Sequence, residues 1–524
     1  MAQSQICKGS FRAEARPGVY VSGFLRSVAV AMHFLICKSK FMRPYVVVGL
    51  PVAVLIGLGS YGVGLGLGAD ADSRGIFDNA FPAILRGSYE MGRSYGNPLY
   101  EFVAAWLYAA GGVTLVNIYS LLLATAAVFI FNSLLNGTDD IRRFIAVIGF
   151  ALNPIFLIQS SSFGEWMQTY FFLVCLLWSV SRWLASCDLG HLLPYAFFSM
   201  ALVLTRPDAF FLCFSLACAM IWQRRFELVT SLQVILVSVV AGVATFAIFV
   251  LINGGFKFLQ NIAFDYSTPT RSFIVAVVGL LVLFGFVGTI VLTGITGWLL
   301  IELKKRHLEL SFWSRIYLLF AIVGLARFWV LPQKPEYIFP LLILGLLMIA
   351  HERVHLAWAG LFSISAILPS LFTISLFHRD VGDDRLSIRL NLGPSAIAQD
   401  WAMAKANAQG MDPSFLSRLA DQVYADRAGV LPSLFTTTWG PGIQSTSGDL
   451  IIGESEAYRL DSARHPPKYL RKLYHEIFIC NKSLFGGTPG WRFMQQPPAK
   501  PAVDVATGKI DVQCHRENPS VTHR

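Results

Sequence analysis

The sequence predicts a mainly α-helical protein that crosses a membrane about eleven times. Of its 524 residues, 55% are hydrophobic and 14% are charged, whereas soluble proteins carry roughly 25% charged residues. The apolar residues fall in blocks of roughly 14 to 30, and a helix needs about 20 residues to cross a bilayer. This composition excludes a disordered protein and an ordinary soluble enzyme. It also excludes a nucleic-acid binder, because the net charge of +10 is not concentrated on a polar domain.

Eleven apolar segments are predicted to span the membrane. They cover residues 44–66, 113–134, 144–158, 165–184, 192–204, 209–222, 229–252, 272–301, 313–330, 336–350 and 356–376. Two of them, 192–204 and 209–222, are short for a full crossing, so the stretch 192–222 is alternatively a broken or re-entrant pair. Together the spans define a transmembrane domain of residues 44–376.

Basic residues in alternate loops predict the orientation of the chain. With the N-terminus in the cytoplasm, the cytoplasmic loops carry the clusters Arg142–Arg143, Arg224–Arg225 and Lys304–Arg306. Lys and Arg are enriched in the cytoplasmic loops of membrane proteins. An odd number of spans then places the C-terminal part outside the cytoplasm, in a multi-pass protein of the inner (cell) membrane.

The two ends of the chain differ in composition from the apolar middle. Residues 1–43 are basic and mildly apolar, which favours an interfacial helix over a signal peptide. Residues 377–495 are predicted to form a small extracytoplasmic domain, and residues 496–524 a disordered tail. Cys480 and Cys514 would form a disulfide only in an oxidising compartment, and the paired and unpaired states both stay open.

The longest loop between predicted spans, residues 67–98, carries the first candidate site residues. Asp70 and Asp72 directly follow the first span, where carboxylates are costly unless they serve a function or are hydrated. Either they activate an acceptor hydroxyl or bind a cation, or they are solvated acids at the end of a loop. Apolar residues at helical spacing predict an amphipathic helix over 75–87, lying on the membrane.

The end of this loop leads back into the membrane. Gly96 and Pro98 set a turn, after which an apolar helix begins with Glu101 in its first turn. A carboxylate that enters the membrane needs a partner. We expect Arg93 or Arg74 to supply it.

The shorter outer loops also carry ionisable residues. Glu165 begins a helix, where an acid is favourable even without another role. Arg206 and Asp208 lie between two apolar runs, and they form either a phosphate-binding site or a mutual ion pair. Lys334 and Tyr337 lie in a tight turn before the next span, where a tyrosine is also an ordinary interfacial residue.

The loop charges place these acids and cations on one face of the membrane. Carboxylates together with cations at an outer membrane surface suit a lipid-linked phosphosugar. The acids would activate an acceptor, the cations would hold the phosphate, and the apolar spans would hold the lipid tail. The sequence therefore predicts one shared site assembled from several loops.

The motifs, in their order along roughly residues 44–376, resemble the GT-C superfamily of polyprenyl-phosphate-sugar-dependent membrane glycosyltransferases. The family includes protein mannosyltransferases, lipid A aminoarabinose transferases, mycobacterial arabinofuranosyltransferases and oligosaccharyltransferase catalytic subunits. The similar features are Asp70-Ala-Asp72, the amphipathic loop helix, Tyr95-Gly-Asn-Pro-Leu-Tyr100-Glu101, Leu204-Thr-Arg206-Pro207-Asp208 and Lys334-Pro-Glu336-Tyr337-Ile-Phe-Pro340.

The resemblance implies an inverting transfer of a sugar from a polyprenyl phosphate to a glycan, lipid or protein of the cell envelope. It implies that Asp70 is the catalytic base or the acid that orients the acceptor, and that Asp72 supports it or binds a divalent metal, Mg²⁺ or Mn²⁺. Arg206 and Lys334 would neutralise the lipid phosphate, with Arg271 and Arg327 as further candidates. The candidate substrate-binding residues are Arg93, Tyr95, Asn97, Glu101, Glu165, Asp208, Glu336 and Tyr337.

Two other functions fit parts of the sequence. A transporter or flippase of lipid-linked sugars would line its path with the same charged residues. His351-Glu-Arg-Val-His355 matches the HExxH pattern of zinc proteases. It falls in a predicted cytoplasmic loop and has no third-ligand motif, so we expect it to bind no zinc.

Overall fold

The computed structural model describes most of the helical region and short strands after it. The described residues are 44–66, 76–92, 96–186, 188–224, 227–256, 258–259, 273–305, 310–330, 335–352, 354–379, 386–395, 397, 449–453, 457–459, 477–480, 492–493 and 514–516. The predicted N-terminal interfacial helix and most of the C-terminal region lie outside these ranges.

The described α-helices follow the predicted spans along the chain. Helices α1 to α13 are Pro44–Val63, Phe81–Leu85, Pro98–Leu134, Asp140–Ala151, Pro154–Gln159, Trp166–Ser186, Leu192–Thr205, Phe210–Gln223, Leu228–Ile252, Phe273–Lys305, Phe312–Val330, Phe339–His351 and Leu356–Leu371. Within the described residues, five segments are long and apolar enough to cross a membrane. These are Pro98–Leu134, Trp166–Ser186, Leu228–Ile252, Leu283–Lys304 and Phe312–Trp329.

Helix boundaries differ from the predicted ones where glycine or proline interrupts the backbone. Helix α3 extends the predicted span 113–134 back to Pro98, with a kink at Gly111 and Gly112. These two glycines have non-helical backbone angles and divide α3 into two helical parts, the second of which coincides with the predicted span 113–134. The predicted span 144–158 is two helices, α4 and α5, because Pro154 cannot donate a backbone hydrogen bond.

The break between α4 and α5 meets a kink in α10 inside the bundle. The amide of Asn153 donates to the carbonyl oxygens of Leu283 (3.2 Å) and Ala366 (3.1 Å). Gly285, with φ +69°, kinks α10, and a Cβ there would collide with Ser365. Backbone groups released by such interruptions must find partners within the protein. The Asn153 side chain supplies one hydrogen-bond donor to α10 and one to α13.

Helix α12 lies at the centre of the bundle. Every residue from Phe339 to Ala350 is buried. Phe339 stacks on Phe156, which in turn contacts Phe150 at a ring separation of 4.4 Å. Helix α9, by contrast, exposes much of its apolar surface. The buried α12 therefore fixes the position of the turn that precedes it.

Two sets of loops meet at two separate ends of the bundle. At one end the His351 ring nitrogen lies 3.0 Å from the Leu134 carbonyl oxygen, and Arg315 donates to the Trp222 carbonyl oxygen. The other end is formed by the loops that the charge pattern predicts to be outside the cytoplasm. The contacts thus reproduce the predicted grouping of the loops, whereas the side of the membrane that each end faces stays a prediction.

The first outer loop contains helix in the predicted place. A π-helical turn, Ile76–Ala80, leads into α2 within the predicted range 75–87. Helix α2 buries Phe81 against Phe163, with ring centroids 5.4 Å apart. The apolar face of α2 therefore packs on the protein, and of its apolar residues Leu85 is exposed.

The strands begin directly after α13, which ends five residues before the predicted end of the last span. Strands β1 to β7 are Phe372–Arg379, Leu386–Pro394, Asp449–Gly453, Ala457–Arg459, Ile477–Cys480, Arg492–Phe493 and Cys514–Arg516. Strands β1 and β2 form an antiparallel pair, and β4-β3-β5-β7 form a sheet in which β6 pairs with β3. The backbone register places residue 480 opposite residue 514. The predicted domain limits and the disulfide stay predictions.

Candidate active site

Four short segments bring ionisable side chains together at one end of the bundle. Glu165 precedes α6, Arg206 follows α7, and Asp208 lies in the 3₁₀ turn between α7 and α8. Arg327 lies in the last turn of α11, and Tyr337 lies in the 3₁₀ turn before α12. The sequence predicts that these residues share one face, and the structure places them in mutual contact.

Arg206 is the centre of this ionic cluster, which we define as Glu165, Arg206, Asp208 and Arg327. Its Nη1 atom lies 2.5 Å from Glu165 Oε1, and its Nε atom lies 3.0 Å from Asp208 Oδ1. Its side chain is only 2% exposed, and its guanidinium lies 3.5 Å from the centre of the Trp166 ring. Two carboxylates and an aromatic face therefore fix Arg206, as is required for a charge buried this deeply.

Asp208 is shared between the two arginines of the cluster. Its Oδ2 atom forms an ion pair with Arg327 Nη2, while Oδ1 contacts Arg206. Arg327 also lies over the Tyr337 ring, 4.5 Å from its centre. With 12% of its side chain exposed against 2% for Arg206, Arg327 is the more accessible cation.

Neutral polar groups surround the ionic cluster. Gln159 donates to Glu336 Oε1 at 3.2 Å, and Gln168 donates to Thr205 Oγ1 at 2.9 Å. Asn97, with its amide nitrogen turned toward carbonyl groups, donates to Thr205 O at 3.2 Å. These contacts tie the start of α3 and the turn before α12 to the same end of the bundle.

An apolar groove begins beside the cluster. Its volume is about 710 Å³, and it lies between α7, α8 and α9. Asp208 and Phe211 line both this groove and the small cleft that contains Arg206, Arg327 and Glu336. A ligand in the groove would therefore have its polar end at the ionic cluster.

Glu101 lies apart from the cluster and has partners that the sequence does not predict. Its Oε2 atom accepts a hydrogen bond of 2.5 Å from Tyr89 Oη, and its Oε1 atom accepts one of 3.2 Å from Gly92 N. Burial, reinforced by the negative charge of Glu101, raises the pKa of Tyr89 well above its usual range, so the phenol stays protonated. The predicted arginine partners, Arg93 and Arg74, lie outside the described residues.

The predicted site residues therefore divide into three groups. The structure joins Glu165, Arg206, Asp208, Arg327 and Tyr337 by direct contacts, and it places Glu336 and Asn97 at the same end. Glu101 belongs to a separate contact set. The predicted residues outside the described ranges are Asp70, Asp72, Arg93, Tyr95, Arg271 and Lys334.

Several site residues escape prediction from the sequence. Gln159, Gln168 and Thr205 belong to apolar helices, and Tyr89 lies in a loop without a motif. Trp166 offers a signal, because it directly follows Glu165. An aromatic residue beside an acid at a helix start is too common, however, to predict a contact with Arg206.

The HExxH motif does not have the helical geometry that a zinc protease requires. Helix α12 ends at His351 and α13 begins at Leu356, so the two histidines do not lie one turn apart on one helix. Glu352 instead accepts hydrogen bonds from Ser311 N and Ser314 Oγ. Among the described residues, no group of three or more His, Cys, Asp or Glu side chains is arranged to bind a metal ion.

Comparisons with known proteins give one structural likeness to report. No protein-family model and no curated protein sequence matches the chain. The structure is similar to the crystal structure of ArnT from Cupriavidus metallidurans bound to undecaprenyl phosphate. The two share 15% sequence identity and a TM-score of 0.47, over 76% of this chain and 75% of that chain. At this level of similarity, only the geometry of the site itself bears on function.

Proposed function

We propose that the protein is a membrane glycosyltransferase of the GT-C type. It transfers a sugar from a polyprenyl phosphate to a glycan, lipid or protein acceptor at the outer face of the inner membrane. The observation that carries the proposal is the ionic cluster beside the 710 Å³ apolar groove, with Asp208 belonging to both. A ligand that fills the groove and reaches the cluster joins a charged head to a long apolar tail.

Arg327 is the residue of the cluster best suited to receive the phosphate. It is more exposed than Arg206 and shares Asp208 with it. A phosphate that approaches from the groove passes Asp208 and competes with it for Arg327. A planar guanidinium binds phosphate by paired hydrogen bonds, and it would stabilise the charge that the leaving phosphate gains in the transition state.

Arg206 has a different part in this proposal from the one the sequence predicts. Glu165 and Asp208 already neutralise it, and it is almost fully buried. It therefore holds the segments of the site in register. The direct phosphate contacts of Arg206, Lys334 and Arg271 stay predictions from the sequence.

The chemistry follows from the resemblance as a single displacement. The acceptor oxygen attacks the anomeric carbon, the bond from that carbon to the phosphate oxygen breaks, and the configuration inverts. The acceptor proton passes to Asp70, and the polyprenyl phosphate leaves with the bonding electron pair. If a divalent ion takes part, Asp72 is its expected ligand, and no step of the proposal depends on it.

Donor binding and sugar transfer by the purified protein in lipid nanodiscs test the proposal. Arg327→Ala should weaken polyprenyl-phosphate binding about ten- to a hundredfold, the effect of losing a hydrogen bond to a charged group. Arg182→Ala is the matched control, since Arg182 also lies over an aromatic ring, Trp178, but near the opposite end of α6.

Each outcome of this experiment is informative. Equal affinities for the Arg327 variant and the wild type would place the head group elsewhere. Lipid translocation by the same protein in proteoliposomes, with no sugar transfer to any acceptor, would favour the flippase alternative. Loss of affinity in the Arg327 variant alone, together with sugar transfer by the wild type, supports the glycosyltransferase.

A further inference from the structure

The segment Gly87–Gly92, between α2 and α3, is fastened to α3 by a buried carboxylate. Glu101 is fully buried, and each of its oxygens accepts one hydrogen bond from this segment, from Tyr89 Oη and from Gly92 N. The Tyr89 ring also stacks on Phe102, with centroids 5.5 Å apart and planes inclined by 14°. Two successive residues of α3 therefore hold the same tyrosine.

Close packing leaves little freedom at the contact. A Cβ on Gly92 would lie 2.7 Å from Ile76 Cα and 2.9 Å from Glu101 Oε1. Gly96 has φ +69°, and a Cβ there would collide with the Tyr89 hydroxyl. The backbone approaches Glu101 at Gly92 and Tyr89 at Gly96 this closely only because glycine occupies both positions.

The same turn of α3 is connected to the ionic cluster. Glu101 N donates to Asn97 O at 2.9 Å, and the Asn97 side chain donates to Thr205 O, one residue before Arg206. A displacement of the first turn of α3 would thus be transmitted to the backbone that carries Arg206. Glu101 itself has both oxygens engaged and no exposed surface, which is unlike a residue that touches substrate.

We propose that Glu101 is a positioning residue: through Tyr89 and Gly92 it fixes the Gly87–Gly92 segment to the end of α3 beside the ionic cluster. This inference gives Glu101 a different role from substrate binding. Only its consequence for turnover rests on the proposed glycosyltransferase function. The contact itself is testable without any substrate.

Hydrogen exchange at Gly92 reports the contact directly, because the Gly92 amide is one of the two donors. Tyr89→Phe removes the hydroxyl but keeps the ring, and it should speed exchange at Gly92 about tenfold or more. Glu101→Leu should have at least the same effect. Glu101→Gln should stay near the wild type, because its oxygen can accept from Gly92 and its nitrogen can donate to the tyrosine hydroxyl.

Ser88→Ala is the matched control. Ser88 lies in the same segment, but its hydroxyl donates to Ala83 O at 3.1 Å and not to Glu101. Hydrogen exchange at Gly92 in the Ser88→Ala variant should therefore match that of the wild type. Unchanged exchange in peptides from α6 shows that each variant is folded, and Tyr89→Phe serves as the test if Glu101→Leu does not fold.

Two results would overturn the inference. The first is wild-type exchange at Gly92 in Tyr89→Phe, which would show that the contact does not hold the segment. The second is a Glu101→Gln variant with wild-type exchange but with turnover as low as that of Glu101→Leu, which would show direct contact with substrate. We expect turnover to be lowered in Tyr89→Phe and Glu101→Leu, the variants in which exchange at Gly92 is faster. We expect Glu101→Gln to keep both exchange and turnover near the wild-type values.

Discussion

Replacing Arg206 by methionine should strongly destabilise the folded protein. Methionine fills a similar volume but leaves the Glu165 carboxylate, only 1% exposed, without its contact 2.5 Å away. Breaking a buried ion pair on one side typically costs about 3–5 kcal/mol. Asp208 keeps its contact with Arg327, so the loss should arise mainly from Glu165.

The double variant Arg206→Met/Glu165→Gln separates the ion pair from general packing. Removing both charges avoids a buried carboxylate that has lost its contact with Arg206, and such paired replacements are often close to neutral. We therefore expect the double variant to recover more than half of the stability lost by Arg206→Met. Glu227→Gln is the control, because its pair with Arg224 is exposed and exposed ion pairs contribute little to stability.

A thiol-reactive dye can follow this unfolding, because Cys175 is a buried free cysteine in α6. The midpoint temperature of dye labelling should fall by several degrees for Arg206→Met and largely recover in the double variant. Additive losses in the double variant would contradict a stabilising Arg206–Glu165 ion pair, since they would show that the two charges do not depend on each other.

Three further predictions concern the catalytic base, the shared carboxylate and the HExxH motif. Asp70→Asn should reduce turnover about 10²–10⁴-fold, because a positioned base contributes that factor, and it should leave donor binding largely intact. Full turnover of this variant in the nanodisc assay would exclude Asp70 as the base. Asp208→Asn should tighten polyprenyl-phosphate binding severalfold, because Asp208 and the phosphate compete for Arg327; weaker binding would mean that Asp208 contacts the substrate. The His351→Ala variant should remain active, and the purified wild-type protein should contain no stoichiometric zinc. Stoichiometric zinc in the wild type that is lost in His351→Ala would favour the protease alternative.

The topology gives a prediction for intact cells. Reporter fusions at positions 90, 265 and 450 should report the outer compartment, and fusions at 140 and 308 the cytoplasm. A cytoplasmic signal at position 450 would contradict the eleven-span orientation and, with it, the outer location of the C-terminal strands.

The sequence predicts the general location of the site better than its contacts. Charge patterns place Glu165, Arg206 and Arg327 at one end of the bundle, and the structure agrees. The pairing of Arg206 with Asp208 is within reach of the sequence, because the two are two residues apart. The contact of Arg206 with Glu165 cannot be predicted from the sequence, because it depends on how α6 and α7 pack. No local sequence pattern encodes that packing.

Helix interruptions show the same division. The break before α5 can be predicted from the sequence, because Pro154 cannot continue the preceding helix. The kink at Gly285 depends on the close approach of Ser365 from α13, which only the folded bundle contains. The HExxH pattern fails for a related reason, since the pattern does not show that α12 ends at His351.

A cryo-electron microscopy structure of the protein in nanodiscs with polyprenyl phosphate would show directly which residues bind the lipid head group. We expect the phosphate within hydrogen-bonding distance of Arg327, and the first isoprene units in the groove against Phe211. Lipid bound with its phosphate away from Arg327, or a groove that holds only phospholipid acyl chains at saturating polyprenyl phosphate, would contradict this expectation.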